Sequence, residues 1–245
     1  FSSVKLRTGN PSEAGTTPMT HYAKQVTIKN CIVDGARRNN ISVTDCDGFL
    51  IDNCLVQNAG YTDINGTTGT NPKLGIDLEP YKTGNPADGF DTSEFVQNGT
   101  VSNCRFNENR LGDCTAYNTY NVKIVNNHST AGLSYGYSQN TVIANNVIDM
   151  SIIRQNNPAT TAGTGVGSLG GANSDRFNHV NNSVVANNVF YGCTTGVEVR
   201  GQSATISNNM FVKCKIAINS FKASDLSIAN NFIYQSTYIG INNAQ

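Results

Sequence analysis

A pair of residues, Asn followed by Asn or Cys, returns eight times along this 245-residue chain, each time directly after a short β-branched run. The copies read VTIKNC (Val26–Cys31), FLIDNC (Phe49–Cys54), GTVSNC (Gly99–Cys104), VKIVNN (Val122–Asn127), TVIANN (Thr141–Asn146), SVVANN (Ser183–Asn188), ATISNN (Ala204–Asn209) and LSIANN (Leu226–Asn231). Successive first asparagines are 23, 50, 23, 19, 42, 21 and 22 residues apart. A period of about 22 residues, interrupted twice, is an internal repeat. A repeat this short cannot bury its own apolar side and must stack on its neighbours.

Each unit holds two or three alternating apolar runs separated by Asn, Gly, Ser or Thr, which predicts strands broken by turns. No segment offers a capped helical face. Strands that recur in the same order and direction stack in parallel, giving a solenoid with coils about 4.8 Å apart and a rod on the order of 40 Å long. The 35 asparagines have a use in such a rod. Asn tolerates the left-handed backbone of a sharp corner, and its amide bonds to the same Asn one coil away. Cys31, Cys54 and Cys104 take the second place of the pair in three coils, which predicts a stacked, buried column of free thiols.

This pattern resembles the right-handed parallel β-helix repeat family, which includes pectate lyases, polygalacturonases, alginate epimerases and phage tailspikes. The resemblance covers residues 26 to 243. It implies an all-β fold: a single-stranded right-handed parallel β-helix of about eight coils with two loop insertions. The right hand is what the family implies. Residues 1–22 read as an N-terminal arm or incomplete coil and residues 23–245 as one β-helix domain. The start at Phe1 suggests a processed or excised piece, and no end cap is visible at either terminus.

The formal net charge is zero, so nothing points to nucleic acid or an anionic membrane. No apolar run approaches a membrane span. Seven cysteines include no CxxC pair, so metal binding is disfavoured and a disulfide through Cys193 or Cys214 is the lesser alternative to free thiols. His21, His128 and His179 are scattered without metal-ligand spacing.

The repeat is broken between Asn53 and Asn103 and between Asn145 and Asn187, and a solenoid places such insertions on one face, often the working one. Between the corner motifs lies a second set of strands, among them ISVT, GIDLEP, RLGDC, GLSYG, TGVGS and TGVEVRG. Alternation turns Ile76 and Leu78 inward and Asp77 and Glu79 outward. The rest of the outward column, Ser42, Thr44, Gly112, Ser134 and Gly167, is small or polar and leaves room for a ligand. Alternate acids on one strand have Cβ atoms about 7 Å apart, near the carboxylate spacings of glycoside hydrolysis. Asp113, on the next coil, is expected to join them if a bulge turns it outward. Crowded acids split their pKa values, leaving one protonated and another ionised.

The expected catalytic residues are therefore Asp77, Glu79 and Asp113. Tyr81, Lys82, Asp88, Asp91, Arg110, Tyr135, Glu198 and Arg200 are expected to bind substrate, with Glu198–Arg200 also reading as a surface ion pair. No metal or cofactor is required, though Asp88 and Asp91 offer loop ligands for calcium. GIDLEP resembles a segment frequent in β-helix carbohydrate enzymes and phage depolymerases, which implies catalysis or sugar binding at Asp77 and Glu79. Compared with the alginate epimerase and lyase branch, Glu79 stands where that family has His and Leu74 where it has Tyr. That departure favours hydrolysis over elimination. The expectation is a depolymerase of a bacterial surface or extracellular glycan, secreted or carried on a virion, with a homotrimer of parallel rods as one assembly open to it. A polysaccharide lyase or uronate epimerase is the first alternative. A non-catalytic glycan-binding or structural rod is the second.

Overall fold

The computed structural model describes residues 4–6, 23–61, 69–80, 95–151, 163–168 and 182–244. Among them there is no helix. Every strand pairs in parallel with the equivalent strand of the coil before and after, so the chain is a parallel β-helix. Three faces recur in each turn. The second coil shows the order: Cys46–Asp52 on one face, Leu55–Gln57 on the next, then Leu74–Leu78 on the third. The leading segment contributes one strand, Val4–Leu6, paired in parallel with Ile41–Val43. Near the other end the third face runs directly into the first through the long strands Thr195–Ser207 and Ile216–Ala229, which join the two into a fifteen-stranded sheet.

The repeated pair divides its work between its two positions. The first residue, from Asn30 through Asn230, has φ between 51° and 58° in all eight copies, the left-handed corner that Asn accepts at low cost. The second points inward. Asn127, Asn146, Asn188 and Asn209, buried, and Asn231, half-buried at the end, form a column in which each amide oxygen accepts bonds from the coil before it. In the middle, Asn188 Oδ1 accepts from Asn146 N at 2.9 Å and from Asn146 Nδ2 at 3.0 Å, while Asn188 Nδ2 donates to Ile143 O at 3.0 Å. Earlier coils place Cys there instead. Cys54 and Cys104 are buried, and their thiols lie 3.3 and 3.2 Å from Asp52 O and Ser102 O of their own coils and 3.8 Å from Ile28 O and Ile51 O of the coil before. Cys31, at the same position in the outermost such coil, is exposed, so the expected column of three is buried at only two. All seven cysteines, Cys193 and Cys214 included, are free thiols.

Inside the coils the three faces meet in one core, with Ile41, Ile51, Ile76, Leu78, Phe106, Ile124, Phe190 and Phe211 fully buried. Burying such a side chain contributes about 1.5–3 kcal/mol. The Phe190 and Phe211 rings stack at 4.8 Å beneath Gly165 and Gly196. A Cβ on either glycine would come within 2.6 Å or 2.4 Å of a ring carbon, so only glycine lets the third face lie this close over the rings.

Asn188→Ala would remove from the core the side-chain acceptor of Asn146 N–H and the donor to Ile143 O, while Asn146 Nδ2 would keep only its bond to Ile124 O. An unmade buried hydrogen bond costs about 1–3 kcal/mol. The expected loss is about 3 kcal/mol or more in equilibrium urea unfolding, whereas Asn187→Gly, at φ 56°, should shift it only by a few tenths.

Candidate functional site

Both interruptions of the repeat leave from the ends of third-face strands. The first brackets Leu74–Leu78 on either side, and the second brackets Thr164–Ser168. Between these two strands the outer surface of the third face carries a groove of about 480 Å³. Register fixes its floor. Asp77 pairs with Thr115, Thr115 with Ser134, Ser134 with Gly167 and Gly167 with Glu198, one residue per coil. With coils about 4.8 Å apart, Asp77 and Glu198 stand at opposite ends of a floor roughly 19 Å long. Small side chains lie between them. Asn71, Pro72, Leu74 and Leu111 line the groove near Asp77 and Glu79, and Tyr117 adds an aromatic ring held edge-on against Tyr137, centroids 5.0 Å apart.

The structure brings Asp77 and Glu79 together in this groove, while Ile76 and Leu78 between and beside them lie in the core. Asp77 is only 6% exposed. Its Oδ2 accepts a 2.7 Å bond from Asn39 Nδ2, and Asn39 is itself held by Leu74 N donating to its Oδ1 at 3.0 Å. Burial, then the neighbouring Glu79 carboxylate, push the Asp77 carboxyl up to about 7, against the opposing pull of Arg38 and the Asn39 amide. Burial also raises Glu79 above the usual carboxylate range, again opposed by Arg38. Arg38 Nε donates to Asn71 O at 2.9 Å, which holds this cation beside the pair. The two acids are thus inequivalent: the Glu79 charge helps keep the proton on Asp77.

Asp113 is a correction to the sequence reading. It does not turn outward. The pairing keeps one register from Gly112 opposite Leu74 to Cys114 opposite Ile76, with no bulge, yet the intervening Asp113 is fully buried. Its carboxylate accepts bonds from Asn109 Nδ2 at 2.8 Å and from Ser129 Oγ, Thr130 N and Ala131 N, each at 2.7 Å. The corner before Leu133–Gly136 has main-chain donors to satisfy, and Asp113 is their acceptor. Thr115 takes the groove position beside Asp77 instead.

Tyr135 is a second correction. The alternation that puts Ser134 in the groove puts Tyr135 in the core, fully buried, with its hydroxyl 3.4 Å from Ser183 Oγ. Arg110 sits in the turn before Gly112–Tyr117, where its N–H donates to Ala59 O at 3.0 Å, and it does not line the groove. Glu198 does line the groove, and it is ion-paired: Arg200 Nη2 and Nε meet Glu198 Oε1 at 2.8 and 2.9 Å. The Arg200 guanidinium in turn lies 5.3 Å from the Phe221 ring centre. Tyr81, Lys82, Asp88 and Asp91, and with them the possible calcium ligands, lie outside the described residues, as do His21 and His179. Among the described residues no group of His, Cys, Asp and Glu is arranged to hold a metal ion. Asn39 and Arg38 were not legible as site residues, because one more Asn among 35 and one more surface Arg carry no periodic signal.

No protein-family model matches the chain. It is 33% identical over 212 residues to the uncharacterized protein YclG of Bacillus subtilis (strain 168), a match covering 86% of this chain and 33% of YclG. The chain spans about a third of the length of the curated relatives it matches. Solved structures similar to it include the surface adhesin PfbA of Streptococcus pneumoniae, with 11% identity, a TM-score of 0.46 and coverage of 90% of this chain and 57% of that one. Another is an alginate lyase from Paenibacillus sp. str. FPU-7, with 14% identity, a TM-score of 0.43 and coverage of 98% and 84%.

The raised Asp77 carboxyl has a consequence for stability. An unfolded chain holds Asp near its ordinary pKa of about 3.9, and folding lifts it to about 7. The folded state binds the extra proton in that window, so this contribution is complete below about pH 4 and is lost as pH rises to about 7. Asp77→Asn removes the penalty of the buried charge. Urea unfolding at about pH 8 should show the variant more stable than wild type, by up to about 4 kcal/mol if the whole shift is realised, with little difference at about pH 3.5.

Proposed function

We propose that this chain is the catalytic rod of an extracellular polysaccharide depolymerase that works by glycoside hydrolysis. The observation that carries the reading is the Asp77–Glu79 pair: two carboxyls on alternate positions of one strand, in an open groove, with unequal hold on their protons. Glycoside hydrolysis asks for that inequality, one carboxylic acid to protonate the departing oxygen and one carboxylate to stabilise the oxocarbenium-like transition state. Asp77, which keeps its proton to about pH 7, is the acid. Glu79, whose charge holds that proton in place, is the carboxylate. The groove is open along the rod and floored by small side chains, which suits a polymer threading through. Tyr117 supplies a ring face for a sugar.

Elimination is the weaker reading. It requires a base for the sugar C5 proton and a group that neutralises the uronate; Arg38 lies beside the pair, yet the described residues lining the groove include no Lys or His to serve as that base. A polymer substrate too large to enter a cell also places the activity outside it, in secreted or virion-borne form.

Reducing-end release from a panel of bacterial capsular and cell-surface polysaccharides tests the proposal. Asp77→Asn and Glu79→Gln should each lower kcat by roughly a hundredfold or more, with no unsaturated product absorbing in the ultraviolet. Release that survives both changes would sink the assignment. The kcat/KM profile should fall on its alkaline side near pH 7 as Asp77 loses its proton. Asn39 is a positioning residue whose bond favours the ionised form of Asp77, so Asn39→Ala should move that limb to higher pH. An unmoved limb would show that the limb belongs to another group.

A further inference from the structure

The charges of the groove point to the class of polymer it takes, an inference that rests on reading the groove as a polysaccharide site. Three carboxyl groups line it, Asp77 and Glu79 near one end and Glu198 at the other, and no cationic side chain lines it among the described residues. Two arginines lie nearest these acids. Arg38 donates to Asn71 O and keeps its charge beside Asp77 and Glu79, and Arg200 is paired with Glu198 while lying against the Phe221 ring. Both Arg200 nitrogens that reach Glu198 bond the same oxygen, Oε1. The ion pair therefore fixes the carboxylate and leaves its second oxygen as the acceptor for a ligand. A fixed carboxylate oxygen accepts hydrogen bonds from sugar hydroxyls and repels a carboxylate, sulfate or phosphate held at the same distance.

We infer that the groove selects a polysaccharide without acidic groups, and that Glu198 enforces this choice at the end remote from Asp77. Uronates and phosphodiester-linked glycans are excluded by charge rather than by shape. The floor beside Glu198 is Gly167, which presents no side chain to obstruct them.

Binding, rather than cleavage, tests this, with Asp77→Asn as the catalytically silenced background. Retention in affinity gels is compared for a panel of neutral glucans, mannans and galactans and for the same polymers after carboxymethylation, at low and high salt. The expected result is retention by at least one neutral polymer, with its carboxymethylated form bound roughly tenfold more weakly at low salt and the gap narrowing as salt screens it. Adding Glu198→Gln should strengthen binding of the carboxymethylated form relative to the neutral form by roughly tenfold. Circular dichroism and the urea midpoint confirm that the double variant folds. Equal or tighter binding of the acidic form, failure of any neutral polymer to bind, or no response to Glu198→Gln overturns the inference. Because the readout is binding, it separates from the hydrolytic reading. A wild type that binds neutral polymers selectively but releases no reducing ends defeats only hydrolysis, and one that hydrolyses an acidic polymer defeats only this selectivity.

Discussion

The buried asparagine column is the constraint on which the rest of the molecule depends. A parallel strand pair has no intrinsic reason to prefer one register over another two residues away, and a slip of one residue exchanges the inner and outer faces. Each inward Asn removes that freedom, because its amide fits only between the main chain of the coil before and the equivalent Asn beyond. Where Cys replaces Asn, in the coils of Cys54 and Cys104, a weak thiol donor reaches a main-chain carbonyl of a strand in an earlier coil. The neighbouring left-handed asparagines then close each corner with little strain.

From fixed register follows a straight outer column, and from that column follows the site. Asp77, Thr115, Ser134, Gly167 and Glu198 lie in line because their strands have no choice about how to pair. The stacking that builds the groove also buries Asp77 among neighbours, which is unfavourable for its charge and gives it a proton to donate. The scaffold is strong enough to hold a group in a state the isolated residue would not adopt. Asp113 shows the opposite treatment of the same residue type: four donors surround it, and it serves the fold.

Much of this was legible in the chain. Eight copies of one pair gave the solenoid, and strict alternation in GIDLEP gave the inward Ile76 and Leu78 with the outward Asp77 and Glu79. What escaped was whatever departs from alternation or arrives from another coil. The burial of Asp113 leaves no mark in composition, and its true partners, Ser129 to Ala131, are set by a corner that only the folded stack brings near. Tyr135 was expected to bind substrate where simple alternation already pointed it inward. Asn39 comes to Asp77 from 38 residues away, across the root of an insertion, and no local pattern reports such a meeting.

The in-line column also makes the groove a ruler. The separation between the carboxyl pair and Glu198 is a whole number of coils, so it changes only in steps of about 4.8 Å. Loop mutations can reshape the walls, but they leave that graduation untouched. Moving the far acid nearer means removing an entire turn of chain, corner asparagines included, and joining two faces that already match. A chain that gained or lost a repeat would therefore change the distance from Glu198 to the Asp77–Glu79 pair in discrete notches, with that pair carried along intact.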